Sequence, residues 1–122
     1  MNEDEVKRLA RVWLEDQGYR VKSDPPAPLN NDKPEVLLDL FAYRDAEPEI
    51  FWVECKGDAN LSELLEGFIR TELCTHYGGG LGLLAVPSLS ARKLMRIKDF
   101  LARSVEKVAL LDVEKGEVIK FS

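Results

Sequence analysis

The sequence predicts an α/β fold: a mixed β-sheet with helices on both faces. Three observations carry this. Stretches with apolar residues at helical spacing alternate with short β-branched or aromatic runs. Their order along the chain reads α-β-β-β-α-β-α-β-β, which implies a layered α/β arrangement. One run, residues 81–86, is apolar throughout, as a central strand covered on both faces requires. At 122 residues the chain is the size of one domain, and no linker or internal repeat divides it.

The first helix spans residues 3–17. Val6, Leu9, Ala10, Trp13 and Leu14 fall on one face. Glu3, Asp4 and Glu5 occupy its first turn, where the helix dipole favours negative charge, and Gly18 suits the position after its end. Residues 19–23 form a short first strand. Residues 24–34 hold Pro25, Pro26 and Pro28 followed by Asn30, Asn31 and Asp32, and read as a loop. Residues 36–44 and 50–56 are the second and third strands, close enough in sequence to form an antiparallel hairpin.

The second helix covers residues 61–77. Asn60 is its N-cap, with Glu63 three residues on. Its expected apolar face is Leu61, Leu64, Leu65, Phe68, Ile69 and Leu73. Gly78, Gly79 and Gly80 end it. The buried strand 81–86 follows, then a third helix over residues 90–103 with Leu94, Ile97 and Leu101 inward. Residues 107–113 and 117–121 close the fold as a hairpin around Lys115 and Gly116.

The bulk composition restricts the function. No apolar run approaches the ~20 residues that span a bilayer, and the acidic start of the chain lacks a signal-peptide pattern. A cytoplasmic protein with no membrane partner is expected. Cys55 and Cys74 fit no zinc spacing and are read as reduced and buried. The net charge is −5, unevenly spread. Residues 24–72 hold twelve acids and four bases, whereas residues 73–122 hold five acids and eight bases.

Three residues stand out by position. Asp39 interrupts an otherwise apolar strand, and a carboxylate there is costly unless it is paired or binds metal. Glu54 and Lys56 end the next strand. Side chains alternate along a strand, so these two share a face while Cys55 points to the other. Adjacent strands lie roughly 4.8 Å apart, so Asp39 meets Glu54 if the hairpin register permits. Two carboxylates suit Mg²⁺ or Mn²⁺, which prefer oxygen ligands. A neighbouring lysine suits the charge that develops during phosphodiester hydrolysis.

Asp39 followed by Glu54-Cys55-Lys56 on consecutive strands, after a helix, resembles the core of the PD-(D/E)XK nuclease superfamily. The likeness covers roughly residues 3–87 and is strongest to Holliday junction resolvases and Mrr-type restriction nucleases. It implies a restriction-endonuclease-like fold. It also implies metal-binding acids at Asp39 and Glu54, a metal-ligating main-chain carbonyl at Cys55 and a catalytic lysine at Lys56. Many members add an acid from the first helix: Glu5 is the first candidate, at the edge of the apolar face, with Glu3 close behind. Leu38 stands where the motif name has proline, and the glutamine common in the following helix is absent.

The resemblance implies a metal-dependent DNA endonuclease leaving a 5′-phosphate, often working as a homodimer. The alternative is an inactive nuclease-fold module that binds nucleic acid or a protein. Arg92, Lys93 and Arg96 on the third helix are the candidate DNA-backbone contacts, weighed evenly against a solvated helix face. Lys7, Arg8 and Arg11 read as solvated. His76 reads as a packed or capping residue. The glycines at 78–80 and 82 follow a helix and precede a strand, the reverse of a phosphate loop. Trp13 and Trp52 read as core.

Overall fold

The computed structural model describes residues 1–24 and 38–121. Ten elements follow one another: α1 (Glu3–Asp16), β1 (Arg20–Ser23), β2 (Leu40–Tyr43), β3 (Ile50–Cys55), α2 (Leu61–Gly78), β4 (Leu81–Val86), α3 (Ser88–Met95), α4 (Lys98–Ser104), β5 (Val108–Asp112) and β6 (Glu117–Ile119). The six strands form one sheet in chain order. β3, β4 and β5 run parallel, and β1–β2–β3 and β5–β6 pair antiparallel. The protein is α/β, with a mixed sheet flanked by four helices. Most of the expected loop at residues 24–34, and the expected strand start at Val36 and Leu37, lie outside the described residues.

The two faces of the sheet carry different helices. Val6, Ala10 and Leu14 of α1 pack on Leu40, Ala42, Val53, Cys55, Leu83, Ala85 and Leu111. On the other face α2, α3 and α4 bring Leu64, Phe68, Ala91, Leu94 and Leu101 against Leu84, Val86, Val108 and Leu110. Alternation along β4 makes this possible: successive side chains feed opposite cores, so the whole run is apolar. A third, smaller cluster joins Leu38, Trp52 and Cys74.

Local signals explain the helix ends. Asn2 caps α1 by accepting the Glu5 N–H at 2.9 Å, and Asn60 caps α2 through the Glu63 N–H at 2.9 Å. Gly18 follows α1 with φ of +90°, and Gly79 and Gly80 follow α2 with φ of +71° and +75°.

Two expectations are corrected. The third helix is two. Ile97, at φ −116° and ψ 26°, breaks it, and its N–H reaches back only three residues to Leu94. The break lets Leu101 and Val105 enter the same cluster as Leu94. The expected face of α2 is also rotated. Its buried residues are Leu64, Gly67, Phe68, Thr71, Cys74 and Thr75. Leu61, Ile69 and Leu73 are exposed, Ile69 by 63%.

Candidate active site

The site forms at the carboxyl end of β3. The antiparallel register pairs Leu40 with Val53 and Phe41 with Trp52, which sets Asp39 opposite Glu54 one step further on. Asp39 sits at the bend where the chain enters β2. One of its carboxylate oxygens accepts the Cys55 N–H at 2.7 Å, in place of a main-chain acceptor. Its own carbonyl accepts the Asp24 N–H at 2.9 Å. The Asp39 carboxylate is therefore fixed to the peptide that separates Glu54 from Lys56.

Glu54 is 3% exposed. Its Oε2 is buried and has no hydrogen-bond partner among the described residues. The nearest cation to that oxygen is the Arg70 guanidinium at 3.7 Å, which is ion-pair rather than hydrogen-bond distance. Arg70 also holds Glu66, one turn earlier, at 3.0 Å. Burial, followed by the adjoining Asp39 carboxyl, pushes Glu54 up to about 9, against the opposing charges of Lys56 and Arg70.

Lys56 is half-buried. Its N–H donates to the Ala85 carbonyl at 3.0 Å, which holds the end of β3 onto β4. Gly67 shows that Glu54 and Lys56 share the α2 side of the sheet. A methyl group there would lie 3.5 Å from Lys56 Cε and 3.6 Å from Glu54 Cγ. Cys55, between them, turns its thiol into the α1 core, and burial pushes that thiol well above its ordinary value.

A third carboxylate comes from α1, and it belongs to Glu3 rather than Glu5. One oxygen from each of Glu3, Asp39 and Glu54 lies within 4.8 Å of the others. Glu3 and Glu5 are both exposed, and Glu5 stands outside this group. The helical repeat gives the reason. Glu3 is three residues before Val6 and seven before Ala10, so it lies in line with the buried stripe of α1, at its exposed end in the first turn. Glu5 is turned roughly 200° away from Glu3. The signal was present in the spacing. Burial and then the Asp39 charge raise Glu3 as well.

The other candidate residues are placed as follows. Arg92 and Arg96 are exposed on and just after α3. Lys93 donates to the Ala59 carbonyl at 2.8 Å, so its ammonium already ties α3 to the loop before α2. Lys7 pairs with Asp24 at 2.9 Å. His76 is exposed at the end of α2 with its ring edge-on to Tyr77, and it takes no part in the acidic group. Trp52 packs with Leu38 and Cys74, and its indole N–H donates to the Gly79 carbonyl at 3.0 Å. Sequence reasoning missed Gly67 and Arg70, whose value lies in what they approach across the sheet.

Two or more carboxylates this close need a proton or a cation between them. The donors here are all hard oxygens, and one of them is buried with no hydrogen-bond partner among the described residues. This set fits a divalent cation of the Mg²⁺ or Mn²⁺ kind.

No protein family and no curated protein matches the chain. A solved structure, that of a protein of unknown function called AF1548, shares the fold with a TM-score of 0.52 at 20% identity. The alignment covers 87% of this chain and 56% of AF1548, so the chain spans little more than half the length of that neighbour. No helix among the described residues is long and apolar enough to cross a membrane.

Proposed function

We propose that this chain is a metal-dependent DNA endonuclease of the PD-(D/E)XK kind, similar to Holliday junction resolvases and Mrr-type nucleases. The observation that carries the reading is the meeting of Glu3, Asp39 and Glu54 within 4.8 Å at the strand end that also bears Lys56. Asp39 and Glu54, with Glu3 and the Cys55 main-chain carbonyl, would hold Mg²⁺ or Mn²⁺. When bound, the ion polarises a phosphoryl oxygen and makes water a better nucleophile. The remaining work falls to the chain. The Cys55 N–H keeps the Asp39 carboxylate in one orientation. Lys56 supplies positive charge beside the acids, where the phosphorane-like charge develops. Arg70 restrains the inner carboxylate oxygen of Glu54. Arg92 and Arg96 are the proposed backbone contacts, and a homodimer would place two such sites on two strands.

A second reading has one observation in its favour. Leu65, Phe68, Ile69, Leu73, Phe100 and Leu101 line an open groove of about 510 Å³ between α2 and α4. That apolar surface suits a nuclease-fold module that binds a protein partner.

Incubating the protein with supercoiled, linear, single-stranded and four-way-junction DNA, with Mg²⁺ or Mn²⁺, separates the two. Cleavage by the wild type is expected, with a loss on the order of 10²–10³ for Lys56→Ala and loss of detectable cutting for Asp39→Ala. An inert wild type, or variants that cut equally well, removes the enzymatic reading.

A further inference from the structure

We infer that Gly57 is a positioning residue for Glu3: it lets the start of α1 lie directly on the loop after Lys56, which brings the third carboxylate to the site. The inference rests on the metal-site reading above and names what holds that site together.

Glu3 has to reach Asp39 and Glu54 from a helix that packs mainly on the other face of the sheet from α2. It can do so only if the first turn of α1 reaches the sheet's end. Gly57 occupies that end. A Cβ on Gly57 would stand 2.7 Å from the Met1 carbonyl oxygen, 2.9 Å from the Asn2 carbonyl carbon and 2.9 Å from the Glu3 nitrogen. All three are main-chain atoms, so no side-chain rotation relieves the clash. Gly57 is not among the glycines with positive φ. Its backbone would accept alanine, so the requirement for glycine is one of space.

The contact is tied from both sides. The Asp58 N–H donates to the Met1 carbonyl at 3.0 Å. The Ser90 hydroxyl donates to the Gly57 carbonyl at 3.0 Å, and Lys93 donates to Ala59 at 2.8 Å. Asn2 then caps α1, which makes Glu3 its first helical residue. A continuous run of contacts therefore leads from α3 through residues 57–59 to Glu3. Catalytic and metal-binding groups tolerate displacements of only about 0.5 Å, and a Cβ on residue 57 at 2.9 Å from the Glu3 nitrogen forces this main-chain contact apart.

The test is a double-mutant cycle on the full chain, read as Mn²⁺ affinity from the electron paramagnetic resonance of the free ion. Glu3→Gln and Gly57→Ala are each expected to weaken binding about 10- to 100-fold, the range seen for residues that support metal ligands. Gly57→Ala/Glu3→Gln should bind no more weakly than Glu3→Gln alone. Ser90→Ala, a milder change, should weaken binding in the same direction in the wild type and have no effect beside Glu3→Gln. Unchanged affinity in both Gly57→Ala and Ser90→Ala, or losses that multiply in full with that of Glu3→Gln, overturns the inference. If the wild type binds no Mn²⁺, the metal reading fails on its own. Metal-free crystals of Gly57→Ala then decide the positioning claim: Glu3 displaced from Asp39 and Glu54 supports it, and Glu3 in place overturns it.

Discussion

Glu54 carries a carboxyl into the end of the sheet with one oxygen lacking a hydrogen-bond partner among the described residues, and this couples its protonation to stability. An ordinary glutamate titrates near 4.5, and burial beside Asp39 raises Glu54 to about 9 in the fold. The folded state therefore binds a proton that the unfolded chain releases between those values. Its stability is highest below pH 4.5 as far as this group is concerned, and falls as pH rises towards 9. Without divalent ion, thermal unfolding between pH 5 and pH 9 should show a falling Tm. Glu54→Gln should flatten that slope and raise Tm at pH 8 by roughly several degrees. A wild-type Tm that rises over this range would contradict the assignment. Asp39 was legible at this scale because a charged residue in an apolar strand is conspicuous. Glu3 ranked just behind Glu5 because three acids crowd the first turn of α1, where the helix dipole alone is reason enough for them.

At the scale of the element, α2 shows why periodicity can mislead. Two apolar stripes run along it. One, Leu61, Leu65, Ile69 and Leu73, repeats every four residues and is the more hydrophobic. The other mixes Leu64 and Phe68 with Gly67, Thr71, Cys74 and Thr75, and this is the one the fold buries. Small residues let the helix approach the sheet: a Cβ on Gly82 of β4 would meet Thr71 at 3.2 Å, and one on Gly67 would meet Leu84 at 2.8 Å. The buried hydroxyls find acceptors in their own helix, Thr71 on Gly67 and Thr75 on Glu72. The burial assignment predicts a contrast. Phe68→Ala should cost roughly 3–5 kcal/mol in urea unfolding, whereas Ile69→Ala should stay within about 0.5 kcal/mol. Equal costs would mean that α2 sits in the orientation its stronger stripe suggests.

For the whole molecule, the sheet brings four separate stretches of chain to one end: the start of α1, the entry to β2, the exit of β3 and the middle of α2. A cation held as proposed by Glu3, Asp39 and Glu54 would link the first three of these, so metal binding should appear as global stability. At one hundred times its dissociation constant a ligand adds about 2.7 kcal/mol, and Mn²⁺ at that level should raise Tm by roughly 10 °C. Its ligands must shed protons, so the rise should be larger at pH 8 than at pH 6. Asp39→Ala should remove it, and chelation should reverse it. A Tm indifferent to Mn²⁺ in the wild type would set aside the metal centre.

The sequence by itself determined the element order apart from the break in the third helix, the central, almost fully buried β4, the capped start of α2, and the hairpin that sets Asp39 beside the strand of Glu54 and Lys56. These follow from local rules: strand alternation, helix capping, and the short connection between β2 and β3. Tertiary structure alone decided that α2 turns its small residues inward, that the third helix breaks at Ile97, and that Gly57 receives the start of α1. It also brought Glu3 rather than Glu5 beside Asp39 and Glu54, although helical spacing carried the hint. Each of these depends on contact between segments far apart in the chain. A periodic pattern states which side chains share a face, but only the neighbour that covers a face determines which one is buried.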